Sequence, residues 1–260
     1  MMNTMTRQIC LQSLRLASVT EALFQTDQAG GCRKIIKRKS EVGILAILFD
    51  VDDTLYDASI PFCSACDKVF KEKYSIPSID LFLAGRIHDI PVVDRIRKAF
   101  SKFGIQITES EVMEFHEVYR GEQTKITLTE GMKNVLEFCR QEGIFTGIIT
   151  NGFSRAQWNK VKSLHLEEWI PRSHIIVSGD EGVRKPAPGI FKLAEQRFGL
   201  DMKDTWFIGD TYATDICGAI AAGWKSIWLN RRQDILPDGK TSPDYTVSDE
   251  EGLINILLLK

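Results

Sequence analysis

"ILAILFDVDDTLYD", residues 44–57, begins with a run of six apolar side chains and ends among acids. Such an unbroken run is what a strand buried on both faces requires. Asp50, Asp52 and Asp53 then arrive within four positions. Like charges this close repel one another unless a cation sits among them. The stretch therefore reads as a buried strand whose carboxyl end enters a site that attracts positive charge.

Outward from this strand the pattern alternates. Further strands are expected at 143–150, 173–178, 204–209 and 225–230, with an edge strand at 244–247. Helical stretches fall between them at 130–143, 154–166, 187–199 and 214–223, with Gly143, Gly199 and Gly223 where helices should stop. Alternating strands and helices imply an α/β fold, a doubly wound parallel sheet with a Rossmann-like core. One connection is too long for a single crossover. Residues 58–122 read as four helices, at 61–74, 78–87, 92–104 and 108–120, the last opened by a Thr108/Glu111 capping box. The chain thus divides into an α/β core over 43–57 and 123–260 and an inserted all-α cap over 58–122. Residues 1–42 form a basic extension expected to be poorly ordered.

Composition excludes several classes. The chain has 260 residues, 43% hydrophobic and 26% charged, with a formal net charge of -2. That is ordinary globular composition with no global pull toward nucleic acid. Residues 1–40 carry seven Lys/Arg against two acids. The run "RKIIKRK" (33–39) is the one hint of a nucleic-acid or lipid contact, and it reads more simply as a solvated tail. Organelle targeting by this segment is a second option. No apolar run approaches the roughly 20 residues that span a bilayer. Six scattered cysteines suggest reduced thiols and a cytoplasmic setting. Cys63 and Cys66 lack the second pair that a metal site needs.

In open α/β sheets, ligands bind at the carboxyl ends of the strands. Strand 1 ends in Asp50-Val51-Asp52-Asp53, strand 2 in Thr150-Asn151-Gly152, and strand 4 in Gly209-Asp210-Thr211 with Asp215 just beyond. The segment after strand 3 carries Arg184-Lys185-Pro186. Asp50 and Asp210 offer the hard oxygens that Mg²⁺ takes, together with water and substrate oxygens. A phosphate dianion fits between such a metal and Lys185, with Thr150 and the Asn151 N–H donating to its oxygens. Asp50 is then placed to attack phosphorus, and Asp52 to protonate the leaving oxygen and later activate water.

Taken together in order, "DVDDT", "TNG", "KP" and "GDTYATD" resemble the four motifs of the haloacid dehalogenase superfamily of phosphohydrolases. The resemblance spans about residues 44–258 and includes a cap inserted after the first motif, as in the nucleotidase- and phosphatase-like subgroup. It implies Asp50 as nucleophile, Asp52 as general acid/base, and Thr150 and Lys185 as phosphate ligands. It also implies Mg²⁺ held by Asp50, the Asp52 backbone carbonyl and Asp210, with Asp215 supporting the metal through water or an outer contact. The expected substrate is a small soluble phosphorylated metabolite, a nucleoside monophosphate or a sugar phosphate. Asp52 favours phosphate chemistry over dehalogenation, whose enzymes lack the second Asp. A phosphomutase of the same superfamily and a non-catalytic binding protein remain alternatives, and oligomeric state is open.

Plainer readings stand beside these. Asp53 is expected to cap the turn after the strand, and Asp57 either caps the first cap helix or meets substrate. Lys68, Lys71 and Lys73 read as solvated helix-face lysines. The four histidines share no spacing that suggests a metal site or triad.

Overall fold

The computed structural model describes residues 45–86 and 91–259. The basic extension, its 33–39 run and His88 lie outside the described residues. Six strands follow in chain order: β1 (Ala46–Phe49), β2 (Phe145–Thr150), β3 (Ile175–Val177), β4 (Thr205–Gly209), β5 (Lys225–Leu229) and β6 (Tyr245–Val247). They form one parallel sheet in the order β3-β2-β1-β4-β5-β6. All six sit where apolar runs place them. The chain winds outward from β1 to β3, then returns to β4 and winds the other way, so the switch point lies between β1 and β4.

Side chains alternate across the sheet, and each face is covered. On one face Ile47, Phe49, Ile148 and Ile208 pack against Met132, Val135 and Leu136 of the helix Glu130–Glu142. Val161 and Leu164 close the same layer, and so does Leu253 of a C-terminal helix, Glu250–Leu258. On the other face Leu48, Ile149, Ile176 and Phe207 meet Ile190, Phe191 and Ala194 of the helix Pro188–Phe198, with Ala219 and Ala222 of Cys217–Ala222. Two-sided burial explains why the strands are mostly apolar.

Two details differ from the sequence reading. The helix expected from 214 begins as a π-helical turn, Tyr212–Ile216, and becomes regular only at Cys217. The Cys217 N–H donates back to the Tyr212 carbonyl, five residues away. The C-terminal helix was not anticipated; Asp249 caps it by accepting from the Gly252 N–H at 2.8 Å.

Four helices occupy the long connection after β1: Ser59–Phe70, Ser78–Ala84, Val92–Lys102 and Glu109–Glu122. The first starts earlier and stops sooner than its apolar pattern suggested. Asp57 supplies the start, accepting from the Ser59 N–H at 2.8 Å and its hydroxyl at 2.5 Å. The Thr108/Glu111 capping box is formed as expected. These helices have their own apolar cluster, including Phe62, Phe70, Phe100 and Phe115. Phe115 stacks on Tyr119 with centroids 5.7 Å apart and meets Phe62 edge-on at 5.2 Å. Among the described residues, no helix is long and apolar enough to cross a membrane.

Because Phe115 anchors this cluster, Phe115→Ala should cost about 3–5 kcal/mol of stability. The urea midpoint of the variant measures this; a loss below about 1 kcal/mol would show that the inserted helices are held by something else.

Candidate active site

The carboxyl ends of β1, β2 and β4 and the segment after β3 meet at the switch point. Asp50 directly follows β1, and its N–H donates to the Ile208 carbonyl at 2.9 Å, so its backbone is fixed by the ladder with β4. Lys185 reaches into the same place from beyond β3. Its Nζ lies 2.7 Å from Asp50 Oδ1 and 2.7 Å from Asp215 Oδ1, with the side chain 1% exposed. Asp210 follows β4, and its carbonyl accepts from the Trp228 indole N–H at 2.7 Å.

Asp50, Asp210 and Asp215 are all buried and present carboxylate oxygens within 4.8 Å of one another. Gly209 makes this approach possible. A Cβ at that position would stand 2.5 Å from the Asp215 side chain. The second oxygen of Asp215 accepts from the Thr211 N–H at 3.0 Å. Asp215 is therefore held at both ends, by Lys185 and by the start of the π-helical turn.

The electrostatics follow from this crowding. Burial pushes the Asp50 carboxyl up to about 7; Lys185 opposes the rise, while Asp215 and Asp52 add to it. Burial, then Asp215, Asp53 and Asp50, raise Asp210 well above the ordinary carboxylate range. Lys185 loses charge stability to burial, but Asp215 and Asp50 more than restore it, and its ammonium is strengthened overall. One lysine among three carboxylates leaves the group short of positive charge.

The other expected residues divide into two groups. Thr150 is fully buried at the end of β2, and its hydroxyl accepts from the Gln157 amide. The Asn151 side chain turns to the backbone of Lys185, accepting from its N–H at 2.9 Å and donating to its carbonyl at 2.9 Å. Asp52, however, is not one of the clustered acids. Both of its oxygens meet Lys160 Nζ, at 2.6 and 2.7 Å. Tyr56 donates to Oδ1 at 2.5 Å and Gln157 to Oδ2 at 3.1 Å. Burial alone would raise Asp52, but Lys160, Tyr56 and Gln157 together pull it below its ordinary value.

Asp53 takes the structural reading. It adopts a left-handed turn conformation with φ of 57°. Its carboxylate forms a two-point pair with Arg232, at 3.1 and 2.7 Å, and accepts from the Ala58 N–H at 3.1 Å. Asp57 also pairs with Arg232 while capping its helix. His174 packs between Phe145 and Phe198, with its ring nitrogen against the Thr146 carbonyl. Cys66 is a buried free thiol. Among the described residues, the acidic trio is the group able to hold a metal.

Sequence reasoning missed Tyr56, Gln157, Lys160, Arg86 and Arg232. A signal for two of them was present. Positions 157, 160 and 161 of the helix Ser154–Ser163 and Leu164 just past it are buried, and two of them carry polar side chains. Arg232 comes from the loop after β5, a fifth strand end that the motif reading did not consult. Arg86 follows the helix Ser78–Ala84, where it pairs with Asp234 at 3.0 Å and approaches Asp210 at 3.5 Å.

A Rossmann-like sheet with carboxylates and a buried lysine at its switch point defines the class: a doubly wound α/β protein with a charged cluster at its strand ends. Residues 44–223 match the family described as haloacid dehalogenase-like hydrolase. The chain belongs to that family. Among relatives, a glyceraldehyde 3-phosphate phosphatase from Pyrococcus furiosus is 33% identical over 129 residues, covering 49% of this chain and 53% of that protein. The chain thus spans about half the length of this relative. The N-acylneuraminate-9-phosphatase of Homo sapiens is 25% identical over 232 residues, covering 79% of this chain and 90% of that one. A HAD family hydrolase from Deinococcus radiodurans R1, solved with bound phosphate and sodium, superposes with a TM-score of 0.69. Its identity is 19%, with 84% of this chain and 97% of that chain covered, so the likeness concerns the fold.

The charge deficit has a measurable sign. Asp50 keeps a proton in the folded state that the unfolded chain releases near pH 4, so its contribution to stability falls as pH rises toward about 7; Asp210, also raised, acts in the same direction. Asp52 acts oppositely, but only on acidification below the ordinary carboxylate range. With divalent cations chelated, the melting temperature should fall between about pH 5 and pH 8, and Asp210→Asn should flatten that slope. A melting temperature that rises over this interval would contradict the deficit.

Proposed function

We propose that the chain is a Mg²⁺-dependent phosphohydrolase that cleaves a small phosphomonoester through an aspartyl-phosphate on Asp50. The observation that carries this reading is the buried contact of Lys185 with Asp50, beside Asp210 and Asp215. It supports Asp50 as the nucleophile, with Lys185 as a fixed cation and the carboxylates of Asp210 and Asp215 as hard-oxygen neighbours; Thr150 ends the adjacent strand β2.

The donor set fits Mg²⁺. All three clustered groups are carboxylates, and burial and mutual repulsion leave Asp50 and Asp210 wanting a cation. Asp50, Asp210 and the Asp52 backbone carbonyl would hold the ion, with Asp215 in support through Lys185. When bound, it supplies charge neutralisation to the phosphoryl oxygens.

The protein's own groups supply the remainder. An oxygen of Asp50 bonds to phosphorus as the bond to the leaving oxygen breaks, and Asp52 passes to that oxygen the proton it took from water in the preceding turnover. Thr150 and the Asn151 N–H hold phosphoryl oxygens, and Lys185 balances their developing charge. Asn151 contributes further by clamping the Lys185 backbone. In the second half Asp52 takes a proton from water, whose oxygen bonds to phosphorus while the bond from phosphorus to the Asp50 oxygen breaks. The inserted helices would act as a cap that excludes water and reads the leaving group, here a nucleoside or a sugar.

Asp50→Asn should reduce hydrolysis of phosphomonoesters by about three orders of magnitude or more while leaving the melting temperature near that of the wild type. A panel of phosphorylated metabolites, assayed with and without Mg²⁺, identifies the substrate. Retained turnover, or no acid-stable phosphoenzyme in the wild-type protein, would remove Asp50 from the nucleophile role.

A further inference from the structure

We propose that Gln157 and Lys160 form a buried positioning pair that aims the Asp52 carboxyl group for both halves of the reaction and ties it to Thr150. The inference rests on the reading of Asp52 as the general acid and base.

Placement makes the first argument. The helix Ser154–Ser163 turns three positions inward, 157, 160 and 161, and Leu164 just past its end is buried beside them. Val161 and Leu164 fill two of them with apolar bulk. The other two carry an amide and an ammonium group. A buried lysine is costly unless its charge is met and its donors are used. Here they are: Nζ contacts both Asp52 oxygens, at 2.6 and 2.7 Å, and Gln157 Oε1 at 2.8 Å.

The direction of the Gln157 amide follows. Lysine can only donate, so Oε1 faces Lys160 and Nε2 is left to donate. It does so to Asp52 Oδ2 at 3.1 Å and to the Thr150 hydroxyl. One side chain thereby links the end of β1 to the end of β2. Gly152, between Thr150 and this helix, leaves the path open. Its φ is 154°, and a Cβ there would stand 2.8 Å from Gln157 Cγ.

The need for such a device lies in the local backbone. Asp50 is fixed by the strand ladder, whereas Asp52 sits in the turn beyond it. Its side chain is 37% exposed, while that of Lys160 is 10% exposed. The pair therefore grips the carboxyl group from the protein side and leaves its other side toward solvent. Asp52 must deliver a proton to the departing oxygen and later accept one from water. Both transfers need the same carboxyl group in the same place, and a displacement of about 1 Å can cost a hundredfold.

Three variants of the full chain test this: Lys160→Met, Gln157→Met and Asp52→Asn. Each is assayed with p-nitrophenyl phosphate, whose leaving group needs no proton, and with glycerol 2-phosphate, whose leaving group does. For Lys160→Met, the pre-steady-state burst of p-nitrophenol should survive within about tenfold. Steady-state turnover should fall about a hundredfold as phosphoenzyme accumulates, and glycerol phosphate should show no burst. Lys160→Arg, which can still pair with both oxygens, should recover most of the loss. Gln157→Met keeps side-chain volume and should show the same split in weaker form, so the test survives if Lys160→Met does not fold. If Asp52→Asn shows the split and neither positioning variant does, the inference falls alone. If Asp52→Asn affects burst and turnover equally, the reading of Asp52 falls and the inference with it.

Discussion

A buried ammonium group between two buried carboxylates, Lys185 with Asp50 and Asp215, is the interaction on which the site depends. Each partner would be prohibitively costly to bury alone, and removal of one leaves the others uncompensated. The contact also joins three separate chain segments, the end of β1, the segment beyond β3 and the π-helical turn beyond β4. The fold brings those segments together only because the sheet reverses its winding between β1 and β4. The charge triad and the topology therefore specify the same point in space.

The remaining acids separate by the cations they own. Asp52 is met by Lys160, and Asp53 and Asp57 are met by Arg232. These three have fixed cationic partners. Asp50 and Asp210 do not; they share one lysine with Asp215, with Arg86 at the edge. The six acids are thus divided into a compensated half, which shapes the loop after β1, and an undercompensated half, whose negative potential attracts a cation. The raised values of Asp50 and Asp210 and the lowered value of Asp52 express this division.

Much of this was legible in the sequence, for physical reasons. Parallel strands buried on both faces must be apolar throughout, so "ILAILF", "GIIT" and "WFIG" stand out. Acids that follow such runs directly have nowhere to go but the strand-end crevice, which exposes Asp50 and Asp210 to inspection. Other features depend on tertiary distance. Arg232 meets Asp53 across 179 positions of chain, and no local pattern couples them. The π-helical turn at Tyr212–Ile216 arises where Asp215 must reach back toward Thr211 and Lys185, a demand that periodicity does not encode. Gln157 and Lys160 lie between these cases. Their spacing marks them as inward-facing, but their polarity argues for the surface, and only the charge on Asp52 resolves the conflict.

The cations that balance the acids also connect the inserted helices to the sheet. Arg232, from the loop after β5, holds Asp53 and Asp57 and lies 5.2 Å over the ring of Phe82, which belongs to the helices' own apolar cluster. Arg86 leaves the end of the helix Ser78–Ala84 and pairs with Asp234 on the core side, 3.5 Å from Asp210. A change in charge at Asp210 is therefore felt by a side chain carried on the helical layer. Coulomb energies at such separations are worth several kcal/mol when water is displaced and little when it is not. The position of the helices and the electrostatics of the strand ends are for that reason one problem: the helical layer carries a charge that lies beside Asp210.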